Sequence, residues 1–418
     1  MQKIQSRAAV VACFASVLFA SPAFSFETVD TIFWPSRGRF PAAYPPEAAR
    51  PTDFFVEAGV MHDDNLIRTQ SIRFHDTVGR LGAGIRHLQR IIGRESLLID
   101  ARVAGYGFAE FDSLNHVAYS AAGTWLWEAM NELTGTVTAG RDSRLVDIGE
   151  RQSGVREILT LTRMGASAAF TPGPSFRFTG GADLGLGESD LRPDVKLRTA
   201  GWRAGASYVT PLANTLGVEY RKTHGDAPVP EFVAPAGTFA NNSFDEKEIA
   251  AVATYATRDR ATFLVDMRLG RTERLYSEIP NRDFKGTTYR IAGEYGFTPR
   301  VLLDFFVYKE PRSIIDVGAS HLLVKGVMMG PRYAFSAKTV FGLRWVHERR
   351  VGQGNPAVID PAFPLRDELI NTMRFSIGWE PERHWQVGLG FDRGVRYSNA
   401  VGRSYHYDAF IANVGYHY

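Results

Sequence analysis

The amino-acid sequence predicts an all-β protein, a transmembrane antiparallel up-and-down β-barrel of 18 strands with no plug domain. Three observations predict this fold. From about residue 52 the apolar residues recur at every second position, in runs of 9–13 residues, which is the period of a strand and not of a helix. Short turns and longer polar loops alternate between these runs. No segment has the roughly 18 consecutive apolar residues that a membrane-spanning helix requires.

The first 25 residues have the pattern of a secretory signal peptide. Lys3 and Arg7 precede an apolar stretch from Ala8 to Ala20, and Ala23 to Ser25 form a small-residue cleavage signature. The apolar stretch is too short to span a bilayer, so we expect cleavage near Ser25. A lipidation box ending at Cys13 is the alternative, but it would leave only a few apolar residues before the cysteine.

Two further parts of the chain are predicted after the signal peptide. Residues 26–51 contain five prolines and show no alternation, so they are expected to form an extended periplasmic tail. Residues 52–418 are expected to form the barrel. Bacterial barrels of one chain have an even number of strands and short periplasmic turns, so both ends of the barrel should lie in the periplasm.

The alternation is clearest at the C-terminus. Phe410, Ala412, Val414, Tyr416 and Tyr418 share one face of the last predicted strand, and polar or small residues occupy the other. A chain that ends in this way resembles the C-terminal signature that the barrel-assembly machinery reads in bacterial outer-membrane barrels. The same alternation recurs in residues 176–184, 263–269, 341–345, 373–379 and 385–391.

A large secreted β-sandwich or propeller is the competing fold, because one face of its strands would also be apolar. The predicted strands are longer than the five or six residues that sandwich strands average. Their non-apolar face carries charges and glycine, as a wet lumen would. Their apolar face carries no charge at mid-strand, where an arginine would cost about 2–4 kcal/mol in a bilayer.

Short turns give the strand number. Eight of them make eight hairpins, and one strand remains at each end, for a total of 18. The weakest strand is that around 322–335, because Pro331 cannot donate to a β-ladder and a closed barrel has no free edge; 16 strands is the fallback. The short turns lie near residues 88–92, 127–132, 170–175, 209–214, 257–261, 297–301, 335–338 and 380–384.

Eight longer segments are predicted as external loops. The segment from Asp226 to Asn242 contains Pro228, Pro230 and Pro235, so it is the stiffest and the best candidate for a loop that folds over or into the pore. The chain leaves no room for a separate plug domain of the kind that TonB-dependent receptors carry. The predicted loops are 62–75, 143–156, 188–195, 223–242, 272–285, 311–319, 349–366 and 396–403.

Motifs for catalysis, cofactors and metals are missing from the sequence. It has no G-x-S-x-G elbow, H-E-x-x-H pair or Walker loop, and a single cysteine excludes a multi-thiolate zinc site. Asp63-Asp64-Asn65 is an oxygen-rich cluster that favours a turn over a Ca²⁺ site. No enzyme activity, cofactor or metal is therefore expected. A net charge of +3, which falls on signal-peptide cleavage, gives no indication of a nucleic-acid partner.

The positions that alternate with the apolar residues along each predicted strand indicate which side chains line the lumen. Arginine outnumbers lysine at these positions, and the planar guanidinium suits carboxylates and sugar hydroxyls. Such charges also pair across neighbouring strands. Since a barrel of this size leaves an aqueous channel, we expect a conduit for a polar, neutral or anionic solute. The predicted luminal residues are Arg80, Arg86, Arg102, Arg177, Arg203, Arg221, Arg268, Arg290, Arg344 and Arg374, with Asp100, Asp183, Glu219, Asp266, Glu294, Asp304 and Asp392.

Four segments carry a resemblance to a known family: Glu57 to Arg68 with its Asp-Asp-Asn, Thr77 to Leu88, Asp190 to Asp194, and Gly201 to Tyr208. Together they resemble the outer-membrane β-barrel porin family typified by the outer-membrane protein of exopolysaccharide-biosynthesis operons (EpsL-like). His62 stands where an aromatic such as tyrosine is commoner in that family.

The resemblance implies export of a secreted exopolysaccharide across the outer membrane of a Gram-negative bacterium. It implies periplasmic and inner-membrane export partners, such as a polysaccharide copolymerase, besides the lipid bilayer and lipopolysaccharide. Phe306 and Tyr308, if they face inward, would offer stacking surfaces to sugars. The family brings no catalytic residues to carry over.

Two other functions remain open at this point. A general or sugar-selective uptake porin would conduct ions when purified and would form trimers, whereas an export gate should be monomeric and largely closed without its partners. An outer-membrane hydrolase would need a nucleophile with a histidine partner near one rim. Neighbouring genes for glycosyltransferases would favour export, and genes for sugar catabolism would favour uptake.

Overall fold

The structure, a computed structural model, describes residues 51–418 except 94, 234–237, 258–262, 279–281, 314–320 and 354–365. The predicted signal peptide, Cys13 and the proline-rich tail up to residue 50 lie outside the described residues. Twenty strands are described: β1 (Thr52–Asp63), β2 (Asp76–Arg90), β3 (Ser96–Phe108), β4 (His116–Met130), β5 (Leu133–Leu145), β6 (Ile158–Phe170), β7 (Phe176–Ser189), β8 (Leu197–Val209), β9 (Thr215–Asp226), β10 (Glu231–Val233), β11 (Thr238–Ala240), β12 (Phe244–Ala256), β13 (Phe263–Tyr276), β14 (Phe284–Thr298), β15 (Val301–Ser313), β16 (His321–Ser336), β17 (Thr339–Gln353), β18 (Asp367–Trp379), β19 (Trp385–Ser398) and β20 (Tyr405–His417).

Eighteen of these strands form one closed antiparallel barrel, and β10 and β11 form a small separate hairpin. Each barrel strand pairs with its neighbours in the sequence, and β9 pairs with β12 across the small hairpin. The barrel closes where β1 pairs with both β2 and β20. Because every strand then has two partners, no edge is left unpaired. The predicted fold class and strand number are confirmed.

One face of the barrel strands is apolar and exposed. In β8 exposure alternates residue by residue, with Trp202 47% exposed and Arg203 on the opposite face. The outward residues of the last strand follow the same rule: Phe410, Val414, Tyr416 and Tyr418 are all exposed. An apolar surface that continues around a whole barrel is too large for water, so it faces the lipid of a membrane. None of the described helices is long and apolar enough to cross a membrane.

The strand containing Pro331 is formed. In β16, Pro331 lies opposite Leu303 of β15, but the pairing with β17 is interrupted between Met329 and Arg332. The missing N–H of proline accounts for the interruption, and the 16-residue strand β16 is formed around it. One loop was not predicted: residues 109–115 join β3 to β4 and contain a single 3-10 turn, Asp112–Leu114.

The strand ends that the longer connections join lie at one end of the barrel, here called the long-loop end, and those that the short turns join lie at the other, the short-turn end. The main apolar core lies at the long-loop end, where the loops fold inward. Met61, Val78, Tyr106, Ile148 and Tyr407 belong to it and are buried. The loops are therefore held by packing as well as by charge.

Glycines on the luminal face make room for large rings on the next strand. A Cβ on Gly326 of β16 would lie 2.5 Å from the ring of Tyr308 on β15. We expect Gly326→Ala to destabilise the barrel by about 1–3 kcal/mol, because a packed wall has no room for another carbon. Gly105→Ala is the matched control, since a Cβ there meets nothing within 4 Å. The midpoint of heat-induced loss of the compact band on a gel measures both, and equal midpoints for the two variants would contradict this packing.

Candidate functional site

The connection between β5 and β6, residues 146–157, crosses the barrel; we call it the crossing loop. It contains a one-turn helix, α1 (Ile148–Arg151), whose N-cap Asp147 accepts a hydrogen bond of 2.8 Å from the N–H of Gly149. At its tip, Glu150 contacts Arg350 of β17. The shorter way around the wall from β5 to β17 passes β4, β3, β2, β1, β20, β19 and β18. The tip of the crossing loop therefore contacts a strand that lies almost opposite the two strands that the loop joins.

Glu150 lies at the centre of four arginines. Its carboxylate is 2.6 Å from Arg350, 3.4 Å from Arg396, 3.5 Å from Arg366 and 3.9 Å from Arg403. We call these five residues the Glu150 cluster. Arg396 is 1% exposed. A largely buried carboxylate among several guanidinium groups is held by charge-assisted hydrogen bonds, and removing it leaves uncompensated cations.

Backbone and neutral contacts fix the same end of the crossing loop. Arg396 donates to the carbonyl oxygen of Gly149 at 2.9 Å, and the side-chain amide of Gln152 donates to the carbonyls of Arg68 and Gly402 at 2.6 and 3.2 Å. Gln152 itself is left-handed, with a φ of 49°, and ends the helix. The loop tip is therefore docked on the far wall by several independent bonds.

A second carboxylate anchors the other end of the crossing loop on the near wall. Glu157 is 1% exposed and lies 3.0 Å from Arg151 and 2.9 Å from Arg192. It also accepts a hydrogen bond of 2.7 Å from the hydroxyl of Ser189. With both ends fixed, the crossing loop narrows the lumen as a bridge and does not hang free in it.

The pKa values of Asp147, the N-cap of α1, and of Glu150 in its first turn are shifted in opposite directions. Burial raises the pKa of Asp147 to about 6, with the charge of Glu150 adding to it and Arg350 opposing it. Burial alone would also raise the pKa of Glu150, but Arg396, Arg350, Arg366 and Arg403 outweigh it and hold that pKa well below its usual range. Near neutral pH Glu150 is therefore fully charged, whereas Asp147 is close to its titration range.

The Asp147 shift predicts a pH-dependent conductance. A carboxyl whose pKa is raised in the docked loop binds a proton more tightly there, so docking strengthens as the pH falls from 7 to 5. Glu150 stays ionised over this range because its pKa is depressed. We expect the conductance of the purified channel to fall with the pH in that window, and Asp147→Asn to abolish the change. A conductance that rises on acidification, or an unaltered response in the variant, would contradict this assignment.

A cavity of about 680 Å³ borders the crossing loop inside the barrel. Eight arginines and four carboxylates line it, so its wall is predominantly cationic. Phe306 and Tyr308 of β15 face it and stack on each other, with ring centroids 4.7 Å apart. The lining charges are Arg68, Arg80, Arg102, Arg144, Arg163, Arg312, Arg344 and Arg350, with Asp142, Asp147, Glu150 and Glu348.

The structure places every predicted luminal arginine on the face opposite the exposed apolar residues, and most of these arginines pair with a carboxylate. Arg268 bridges Glu219 at 2.7 Å and Glu248 at 2.6 Å, and Arg290 lies 5.1 Å from the centre of the Phe306 ring. Charge pairs across neighbouring strands, which the sequence also suggested, are therefore common. Other predicted residues have different surroundings: Asp266 accepts a hydrogen bond of 2.7 Å from Thr254, Asp183 lies beside Gly201, and Arg344 lines the cavity. The other ion pairs are Arg80–Glu57 at 3.1 Å, Arg86–Asp100 at 2.9 Å, Arg102–Asp100 at 2.7 Å, Arg221–Glu246 at 3.3 Å and Arg374–Asp392 at 2.7 Å.

Three luminal arginines on consecutive strands are different. Arg163 of β6, Arg177 of β7 and Arg203 of β8 make no ion pair or hydrogen bond with any residue that the structure describes. Arg163 lines the cavity but was not predicted from the sequence. Its neighbour Met164 is 54% exposed and faces outward. Because adjacent residues of a strand face opposite sides, that methionine could have indicated that Arg163 faces the lumen. This wall offers guanidinium groups that are not already occupied.

Two other predictions concern the loops. The predicted pore loop, Asp226–Asn242, contributes β10 and β11, and its described end is held at the rim, where the Ser243 hydroxyl donates to Asn241 and accepts from the N–H of Ala227 at 3.0 Å. Among the described contacts, those of the crossing loop place it inside the lumen, whereas the contacts described for Asp226–Asn242 lie at the rim. Asp63 and Asn65 form a turn, as predicted: Asp63 accepts from Arg68 at 2.7 Å and from the N–H of Asn65 at 2.9 Å.

No protein-family model and no curated protein sequence matches this chain, so the expected exopolysaccharide-operon family gains no support. Several solved structures resemble it. The outer membrane protein opdK from Pseudomonas aeruginosa is 10% identical, with a TM-score of 0.44 over 88% of this chain and 99% of that one. OccK2 (OpdF), also from Pseudomonas aeruginosa, is 10% identical, with a TM-score of 0.49 over 88% and 97%. The siderophore receptor PirA from Acinetobacter baumannii is 8% identical, with a TM-score of 0.42 over 88% and 81%. At these values the likenesses carry no argument about transport.

Proposed function

We propose that this protein is a passive outer-membrane channel for small hydrophilic solutes, with a preference for solutes that carry a carboxylate. One observation supports this most: the cationic cavity beside the docked crossing loop. Its volume of about 680 Å³ falls within the range of about 300–1,000 Å³ that small-molecule sites occupy. A passive channel has no direction of its own, so the concentration gradient of the solute would drive uptake.

The preference for carboxylates rests on Arg163, Arg177 and Arg203. Each guanidinium presents paired donors that fit the two oxygens of a carboxylate. Since no described residue already pairs with them, a solute would not need to displace a protein carboxylate. Phe306, which is half-buried, would offer a flat face to a sugar ring in the cavity that Arg163 also lines. A sugar acid combines both features.

Liposome swelling tests this proposal. Liposomes that contain the purified protein should swell faster in glucuronate than in glucosamine, a sugar of similar size and opposite charge, with glucose between them. Equal rates for the three sugars would remove the proposed charge preference, and the absence of any swelling above empty liposomes would remove the channel itself.

Exopolysaccharide export was the main function expected from the sequence, and it has less support. It rested on a resemblance that no family model supports. A polymer would also have to pass a loop that is docked at both ends, which makes a short solute the better fit. Deletion of the gene tests export directly: loss of cell-surface polysaccharide, with periplasmic synthesis intact, would restore it over uptake.

A further inference from the structure

A group of cations lies on the outer, lipid-facing surface, away from the lumen. Lys247, Arg271, Lys309, Lys325 and Arg349 belong to β12, β13, β15, β16 and β17 and point outward; all but Lys309, which is half-buried, are exposed. We call these five residues the cationic stripe. It covers one side of the barrel, because these strands follow one another around the wall with only β14 between them.

The stripe keeps one height on the barrel. On each of the five strands the cation stands eight positions from an outward residue at the short-turn end, and apolar residues fill the outward positions between them, apart from His347 in β17. Eight residues extend roughly 27 Å along a strand and, at a tilt of about 35–45°, roughly 20 Å across a membrane. The five pairs are Tyr255 and Lys247, Phe263 and Arg271, Val301 and Lys309, Tyr333 and Lys325, and Phe341 and Arg349.

This height matches the boundary of the hydrocarbon layer, since the apolar band of such barrels is about 25 Å tall. The outward aromatic residues at the short-turn end, such as Tyr255 and Tyr333, mark the opposite boundary. The stripe therefore lies where the lipid headgroups of the leaflet at the long-loop end begin, and long lysine side chains can extend from there into the headgroup layer.

Within the protein the stripe is poorly neutralised. Lys309 of β15 lies directly opposite Lys325 of β16, and Lys325 lies directly opposite Arg349 of β17. Like charges directly opposite each other destabilise a sheet. Two outward carboxylates lie beside the stripe, and each is already paired: Asp367 with Arg349 at 2.6 Å, and Glu273, which faces Lys247, with Lys285 at 3.0 Å. Lys247, Arg271, Lys309 and Lys325 make no ion pair or hydrogen bond with a described residue. Their repulsion calls for an anion from outside the chain.

Outward cations elsewhere on the barrel are different. Arg141 of β5 lies 3.9 Å from Glu188, Arg198 of β8 lies 3.9 Å from Asp226, and Arg393 of β19 lies 3.8 Å from Asp408. Each therefore has a carboxylate of the protein beside it. Four of the five stripe cations make no such ion pair with a described residue, so this lack is not a property of every charge at this end of the barrel.

From the height, the like-charged neighbours and the excess of cations over carboxylates, we propose that the cationic stripe is a docking surface for phosphorylated lipid in the leaflet at the long-loop end. Lysine and arginine near an anionic membrane surface each add to binding, and a row of them binds phosphate headgroups cumulatively. The stripe would bind such a lipid with phosphates beside β12–β17 and acyl chains along the apolar residues below. This inference does not depend on what passes through the lumen.

The test uses full-length protein in phosphatidylcholine nanodiscs doped with bisphosphoryl lipid A, with bound lipid counted by native mass spectrometry. The triple variant Lys247→Gln, Lys309→Gln, Lys325→Gln should bind lipid A at least about tenfold more weakly than the wild type. Arg141→Gln, Arg198→Gln, Arg393→Gln is the matched control and should bind normally. Replacing the same three lysines with arginine should also preserve binding, and it excludes misfolding as the cause of a loss.

Three results would overturn the proposal. The first is equal lipid A binding by the wild type and the glutamine triple variant. The second is an equal loss in the control triple variant, which would indicate a general charge effect. The third is equally tight binding of lipid A from which both phosphates have been removed, which would indicate recognition of acyl chains alone.

Discussion

Glu150→Gln is expected to raise the conductance of the channel strongly. Glutamine keeps the shape of the side chain but removes the charge that holds Arg350, Arg366, Arg396 and Arg403 together. Breaking a buried ion pair on one side costs about 3–5 kcal/mol, which shifts the docking of the crossing loop on the order of 100-fold or more toward release. Single-channel recording in planar bilayers measures the result as a larger or a fluctuating conductance.

Glu273→Gln is the control for this variant. Glu273 also makes an ion pair, at 3.0 Å to Lys285, but on the outer surface of the barrel with both side chains exposed. An exposed pair contributes little, so its loss should leave the conductance unchanged. If Glu150→Gln conducts as the wild type does, the Glu150 cluster does not hold the constriction.

Arg163→Glu is expected to reduce or reverse the preference of the channel for anions. The substitution changes the local charge by two units at a cavity wall, and no described carboxylate makes an ion pair with the arginine. In a passage lined by the low-dielectric wall of the protein such a change is screened less than at an open surface. The reversal potential in a salt gradient should move toward that of a cation-selective channel.

The matched control here is Arg198→Glu, which makes the same change of charge on the outer face. Arg198 lies on β8 and points away from the lumen, 3.9 Å from Asp226. Its reversal potential should equal that of the wild type. An equal shift in both variants would mean that the total charge of the protein, and not the luminal position of Arg163, sets the selectivity.

The alternation in the sequence was sufficient to predict the barrel, because each strand carries its own two-residue period. Phe410, Val414 and Tyr416 face outward as that period requires. It also placed Arg268 and Arg374 in the lumen. The connection between β3 and β4, residues 109–115, was missed because it contains neither glycine nor proline, although Asp112, Ser113 and Asn115 are turn formers.

The crossing loop could not be predicted in the same way. Its contacts join residues far apart in the sequence: Glu150 and Arg350 are separated by 200 positions, and Gln152 and Gly402 by 250. Prolines favoured the segment Asp226–Asn242, but proline sets the stiffness of a loop and not its direction. Direction here follows from complementary charges on opposite walls, and one sequence does not reveal which walls face each other.

The reversal potential of the wild-type channel under a salt gradient tests the central claim most directly. If Arg163, Arg177 and Arg203 present unoccupied guanidinium groups to the passage, chloride should carry more of the current than potassium, and added glucuronate should reduce that current. A cation-selective current that glucuronate leaves unchanged would contradict a channel that prefers carboxylates.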